Sequence, residues 1–182
     1  FLKKGVDLKD EAAVTEGCRE IEIELRYENG VQQVYLNGEN VSGQIRTEEV
    51  GAAASVTSAY QPVREKLTEL QRKLAETEDV IMDGRDIGTC VLPGAQLKIY
   101  LTASSAVRAR RRYRELEEKG IDCRLEEIEK EIAERDWRDM HREHAPLKQA
   151  EDAVLLDSSD MTLQQVVDTI TGLIDRKRGT LE

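Results

Sequence analysis

The sequence predicts an α/β domain, with a parallel sheet flanked by helices in three layers and a small antiparallel β unit inserted ahead of it. Three observations carry this. The apolar runs Val80–Met82, Leu97–Leu101 and Ala153–Leu156 have the length and composition of buried strands. Helical patterns around Ser105–Lys119 and Leu125–Arg142 lie between the second and the third, as a parallel crossover requires. Earlier in the chain, Ile21, Ile23, Leu25 and Tyr27 alternate with Glu22, Glu24 and Arg26, which marks a half-buried strand.

Taken in order, residues 5–13 are polar and read as a helix end, a linker and a short helix. The alternating strand ends at Asn29-Gly30, a hairpin signal, and Val31–Leu36 returns as its partner. Asn37-Gly38 is a second turn, and Asn40–Ile45 is expected as a third strand. Thr47 caps a helix that runs through the small residues 52–58. Pro62 opens the next helix, where its missing N–H costs nothing, and Val63, Leu67, Leu70 and Leu74 form its buried stripe. The three apolar strands and their helices follow, and Met161–Arg176 closes the chain as a helix.

Composition narrows the function. With 39% hydrophobic and 35% charged residues the chain has enough apolar content for one core and many solvated helix faces. A formal charge of −10 argues against sequence-independent nucleic-acid binding, which needs a basic surface. Three scattered cysteines (Cys18, Cys90, Cys123) match neither a disulfide framework nor zinc spacing and suit a reducing cytoplasm. His141 and His144 could share a helix face but have no further ligand pair, so no metal site is expected on them. No run is apolar enough to span a bilayer, and no signal peptide is evident.

Two polar clusters carry the chemistry. Val80–Thr89 ends an apolar run in Asp83, Gly84, Arg85 and Asp86, which delivers charge to the rim of a sheet, where open α/β folds bind ligands. Arg85 offers a planar fork for phosphate, and Asp86 can accept from an amino group. In Glu134–Arg142, residues Arg135, Asp139 and Arg142 fall on one helix face. A salt-bridge ladder and a phosphorylated-sugar site both fit them. Arg108, Arg111 and Arg112 likewise suit either pairing with Glu115, Glu117 and Glu118 or a mobile cationic lid over a nucleotide. Ala145-Pro146-Leu147 stops the second helix at a boundary of the fold.

Together these segments resemble the bacterial cytidylate (CMP/dCMP) kinase family, within the P-loop nucleoside monophosphate kinases. The match rests on Gly43–Val50, Ser55, Val63-Arg64-Glu65, Asp83–Thr89, Lys98–Ser104, the arginine run, Glu134–Asp139 and Ala145–Leu147, in order and at the right spacing. The resemblance implies a P-loop kinase fold with a β insert in the monophosphate-binding region at 1–75, and a core sheet at 76–182 with a lid at about 104–135. It implies transfer of the ATP γ-phosphoryl group to CMP or dCMP with Mg²⁺, in a monomeric cytoplasmic protein that engages neither nucleic acid nor membrane. Ser55, Arg64 and Asp86 would read cytosine, Arg135 and Asp139 the ribose, and Arg85 and Arg142 the acceptor phosphate. Arg108 and Arg112 would face the donor nucleotide. Asp83 would help organise magnesium and its waters, and with Arg85, Arg108 and Arg112 makes up the implied catalytic set. A kinase of another monophosphate such as UMP, or a non-catalytic nucleotide-binding module, are the alternatives.

One family feature is missing. No Gly-x-x-x-x-Gly-Lys-Ser/Thr occurs in the 182 residues, and the chain opens at Phe1 without an initiator Met. The family carries that loop on an N-terminal central strand, where its backbone amides cradle the donor phosphates. The natural start is therefore expected to be missing. A chain without that strand and helix is expected to be inactive and poorly stable alone, with unpaired edges at Val80 and Leu97.

Overall fold

In the computed structural model, which describes residues 1–179, the chain divides into two units, Phe1–Val80 and Ile81–Glu182. The first grows from local signals. Asp10 caps α1 (Glu11–Arg19) by accepting from the Ala13 amide. α1 packs against α3 (Gln61–Thr77), and Val14, Cys18 and Val63 form the buried cluster, with Phe1, Val6, Ile21 and Tyr60 around it. Burial raises the Cys18 thiol above its ordinary range, which leaves it a protonated apolar filler. The Tyr60 hydroxyl donates to the Leu8 carbonyl at 3.0 Å and ties the linker to this core.

The antiparallel unit has the expected order. β1 (Ile23–Glu28) pairs with β2 (Val31–Leu36) in the register Ile23↔Leu36, and β2 pairs with β3 (Glu39–Asn40). Both turns are Asn-Gly with positive φ at both residues, 54° and 76° at the first, 49° and 80° at the second. Two expectations fail here. The third strand stops at Asn40, because the Val34 amide donates to the Ser42 hydroxyl at 2.8 Å and the chain turns away. Along β1 only Ile23 is half-buried, while Leu25 and Tyr27 are 44% and 78% exposed. α2 (Glu48–Thr57) begins at the predicted cap Thr47. On α3, Val63 is buried and Leu70 and Leu74 are half-buried, but Leu67 is exposed, so the predicted stripe is only partly covered.

The second unit departs from the prediction at its start. Residues 79–83 form no strand, and Ile81 is 95% exposed. The apolar run has the right composition, but a strand exists only through its ladder, and no described strand pairs with this segment. Two strands do form. β4 (Ile99–Thr102) and β5 (Val154–Asp157) pair in parallel, with Ile99 opposite Val154. Between them lie α4 (Ser105–Glu118) and α5 (Leu125–His141), packed on each other, and α6 (Leu163–Arg178) follows β5. Ala103, Ala109, Ile128 and Leu156 are buried. No helix among the described residues is long and apolar enough to cross a membrane.

Two polar ties fix this parallel pair. Arg111 donates to the Ser158 carbonyl at 2.6 Å, and the buried Ser158 hydroxyl donates to the Thr102 carbonyl at 3.0 Å, joining α4 to the ends of both strands. At the opposite ends, the largely buried Lys98 ammonium holds Asp152 with both carboxylate oxygens, at 2.8 and 2.9 Å. That ammonium keeps the Asp152 carboxyl below its ordinary 3.8. A carboxyl depressed in the folded state stabilises fully above its unfolded pKa, and this contribution is lost as pH falls through the folded value. Asp152→Asn is therefore expected to flatten the fall in Tm as pH drops below about 4. A wild-type acid slope in the variant refutes this.

Candidate functional site

The site begins where the chain bends after α3. Gly84 allows the bend, because a Cβ there would sit 2.9 Å from Cγ1 of Ile87. Asp86 then opens a single π-helical turn, Ile87–Val91, that sequence patterning did not anticipate. The Asp86 carbonyl accepts from Cys90 and Val91, at 2.8 and 3.2 Å, and the Leu92 amide donates to Ile87 at 2.7 Å. Val91 is 3% exposed and anchors the turn. Such turns recur at functional sites. Here it fixes the backbone from which Arg85 and Asp86 project.

The C-terminal half of α5 meets this loop. Arg85 Nε donates to Asp139 Oδ2 at 3.1 Å, and Arg135 lies 3.9 Å from the same oxygen, one turn earlier. Arg142 stands at the helix end, with Nη2 at 3.7 Å from Asp86 Oδ2. That separation is an ion pair, not a hydrogen bond. Nη2 is buried and makes no hydrogen bond. Three guanidinium groups face two carboxylates, so the cluster is a net cation that can take an anion and still accept hydrogen bonds.

A second arginine–carboxylate pair lies alongside, between α4 and α5. Arg108 donates to both oxygens of Asp136, one at 3.0 Å, and its Nε donates to the Ala103 carbonyl at 3.0 Å. That carboxylate holds the Arg108 guanidinium above its already high range, so it is a permanent cation. Arg112, one turn on, is exposed and pairs with Glu115 at 2.8 Å, as in a solvated helix face. Lys119 and Arg112 together hold Glu115 below the ordinary carboxylate range.

Arg85, Asp86, Arg135, Asp139 and Arg142 are thus brought together, and Arg108 is joined to the same helix through Asp136. Asp83 lies on the exposed loop and makes no ion pair among the described residues. Ser55 and Arg64 belong to the first unit, Ser55 exposed on α2 and Arg64 half-buried on α3, donating weakly to the Ser58 carbonyl at 3.5 Å. The histidine expectation needs correction. α5 ends at His141, so His144 lies off the helix, and the His141 ring stacks on Trp137 at 4.6 Å.

Sequence reasoning passed over Asp136 and the carbonyl of Ala145, and it read Arg111 with Arg108 and Arg112 as helix-face or lid arginines, whereas Arg111 holds Ser158. Asp136 sits one residue off the Arg135–Asp139–Arg142 face, which points it toward a different neighbour. Arg111 differs from Arg108 and Arg112 only in what the fold sets beside it, and no spacing rule separates the three.

The family model described as cytidylate kinase matches residues 1–176. A cytidylate kinase of Lactobacillus johnsonii is 49% identical over 173 residues, which cover 95% of this chain and 75% of the relative. One from Actinobacillus succinogenes is 46% identical over 96% of this chain and 78% of its own length. Cytidylate kinase 1 of Haemophilus influenzae is 44% identical over 96% and 76%. The chain spans about three quarters of the length of these relatives.

Proposed function

The chain belongs to the cytidylate kinase family, and on that premise we propose that its cluster of arginines and carboxylates is the acceptor site for CMP and dCMP in phosphoryl transfer from ATP. The observation that carries the reading is Arg142, a guanidinium with a buried nitrogen that makes no hydrogen bond, 3.7 Å from a carboxylate and held at the end of α5. An unsatisfied buried N–H costs folding energy, and an incoming phosphate oxygen removes that cost.

The roles then follow the chemistry. Arg142 and Arg85 take the monophosphate, and Arg85 exchanges its bond to Asp139 for one to the ligand. Asp139, released, accepts from a ribose hydroxyl with Arg135 beside it. Asp86 accepts from the cytosine amino group, and Ser55 and Arg64, in the first unit, are base-reading residues on the family resemblance alone. Arg108 and Arg112 face the donor phosphates. Magnesium carried with ATP would neutralise charge between the phosphates. Asp83, an exposed carboxylate that makes no ion pair among the described residues, suits a cation that keeps most of its waters. Attack is in line, and catalysis consists of positioning and charge neutralisation. The fold that fits these roles is the three-layer P-loop kinase fold, with residues 1–75 as the monophosphate-binding region, 76–182 as sheet and lid, and the lid at about 104–135.

Calorimetric titration of the chain with CMP and UMP tests this. CMP is expected to bind about a hundredfold more tightly, since uracil turns a carbonyl toward the Asp86 carboxylate. Equal affinities, or a preference for UMP, overturn the reading. The 182 residues contain no Walker-type loop, so CMP binding without ADP release from ATP is expected of them. Turnover would refute the need for that loop.

A further inference from the structure

The turn after α5 is built around one guanidinium. Arg142 ends the helix with extended backbone, φ −63° and ψ 145°, and its Nε donates to the Ala145 carbonyl at 2.8 Å. Ala145 lies at φ +48°, the left-handed region that an L side chain enters at a cost. Pro146 follows and biases Ala145 toward extended backbone, so the residue sits outside both of its preferences. The other described non-glycine residues at positive φ are Asn29 and Asn37, both in hairpin turns that call for it. Ala145 has no such local reason. Its turn is closed by the Leu147 amide, which donates at 2.8 Å to the Asp139 carbonyl near the end of α5.

Nη2 of the same guanidinium is the nitrogen left without a hydrogen bond. One nitrogen of Arg142, Nε, is held by a carbonyl from a strained turn, and another, Nη2, is buried without a hydrogen bond. Backbone strain kept beside a functional group is how a fold fixes that group in advance.

We propose that Ala145 is a positioning residue: the strained Ala145-Pro146 turn presents its carbonyl to Arg142 Nε and so aims Nη2 at the phosphate of the acceptor nucleotide. This rests on the reading of Arg142 as a phosphate ligand, and the test separates the two.

The measurement is the affinity of the full chain for CMP and for cytidine, which lacks the phosphate, by calorimetry. Ala145→Val places a β-branched residue where φ +48° is sterically excluded, so the turn must rearrange and the carbonyl leaves Arg142. CMP affinity should fall about tenfold, while cytidine affinity changes less than about twofold. Ala145→Gly, which adopts positive φ freely, should keep CMP affinity within about twofold of wild type. Pro146→Ala gives up the locked φ of the ring and so loosens the turn without touching a ligand, which outweighs the relief it gives Ala145; it should weaken CMP about threefold, and it decides the matter if Ala145→Val does not fold. A purely structural turn would lower CMP and cytidine together, and that result overturns the proposal. So does unchanged CMP affinity in Ala145→Val, or in Pro146→Ala where that variant decides. Arg142→Ala is the reference. If it weakens CMP and Ala145→Val does not, only the role of Ala145 fails. If Arg142→Ala leaves CMP binding intact, the phosphate reading falls and takes this inference with it.

Discussion

Replacing Asp86 by alanine is expected to collapse the ratio of CMP to UMP affinity by about a hundredfold, nearly all of it through weaker CMP binding. The carboxylate is an acceptor without a donor, so it matches the exocyclic amino group of cytosine and opposes the carbonyl that uracil presents there. Its side chain is only 15% exposed, and water can do little to screen either contact. The backbone is insulated from the change, because the turn hangs on the Asp86 carbonyl, which accepts from Cys90 and Val91 whatever side chain is present. Removing the carboxylate also takes a negative charge from beside Arg142, so UMP affinity should hold or rise slightly. Titrating both nucleotides against wild type and Asp86→Ala gives the answer. Parallel losses for the two bases would show that the residue maintains the loop and does not read the base.

Such predictions were available early because charge clusters are visible in a sequence. The helices were legible for a related reason. Thr47, Ser104 and Thr162 each accept from an amide three residues on, and these caps depend on nothing distant. The two Asn-Gly turns set the β1–β2–β3 register by the same local logic. The strands at Leu97–Leu101 and Ala153–Leu156 found each other as β4 and β5, and the expectations that failed depend on a partner that the sequence does not announce. Val80–Met82 has strand composition, but no described strand offers it a ladder. The third strand lost its continuation to one serine hydroxyl on Val34. At the site, Arg85, Asp86, Asp139 and Arg142 were singled out as residues, while their pairing was not. Arg85 goes to Asp139, Arg142 goes to Asp86, and Arg108 goes to Asp136, an aspartate with no signal of its own. The left-handed Ala145 was invisible, since nothing in Ala-Pro-Leu announces positive φ and the proline argues against it.

Arg142→Ala should act on every monophosphate alike. CMP, dCMP and UMP are expected to weaken by about thirty- to a hundredfold each, which is the loss of one or two charge-assisted hydrogen bonds, while cytidine is unaffected. Phosphate contacts position a nucleotide and carry no information about its base, so the CMP to UMP ratio should stay within about threefold of wild type. Stability should hardly move. Truncation removes a hydrogen bond to the Ala145 carbonyl, but it also removes a buried nitrogen that the folded chain leaves unsatisfied, and the two terms oppose each other at about 1–3 kcal/mol each. A large fall in affinity with a small change in Tm is what a group held ready for a ligand produces. Because Arg142 and Asp86 are 3.7 Å apart, their effects on CMP should not add, and a double-mutant cycle should return about 0.5–3 kcal/mol of coupling. Additive losses, or a loss that differs strongly between cytosine and uracil, would mean that Arg142 is not the phosphate ligand and that base and phosphate are not read by separate groups.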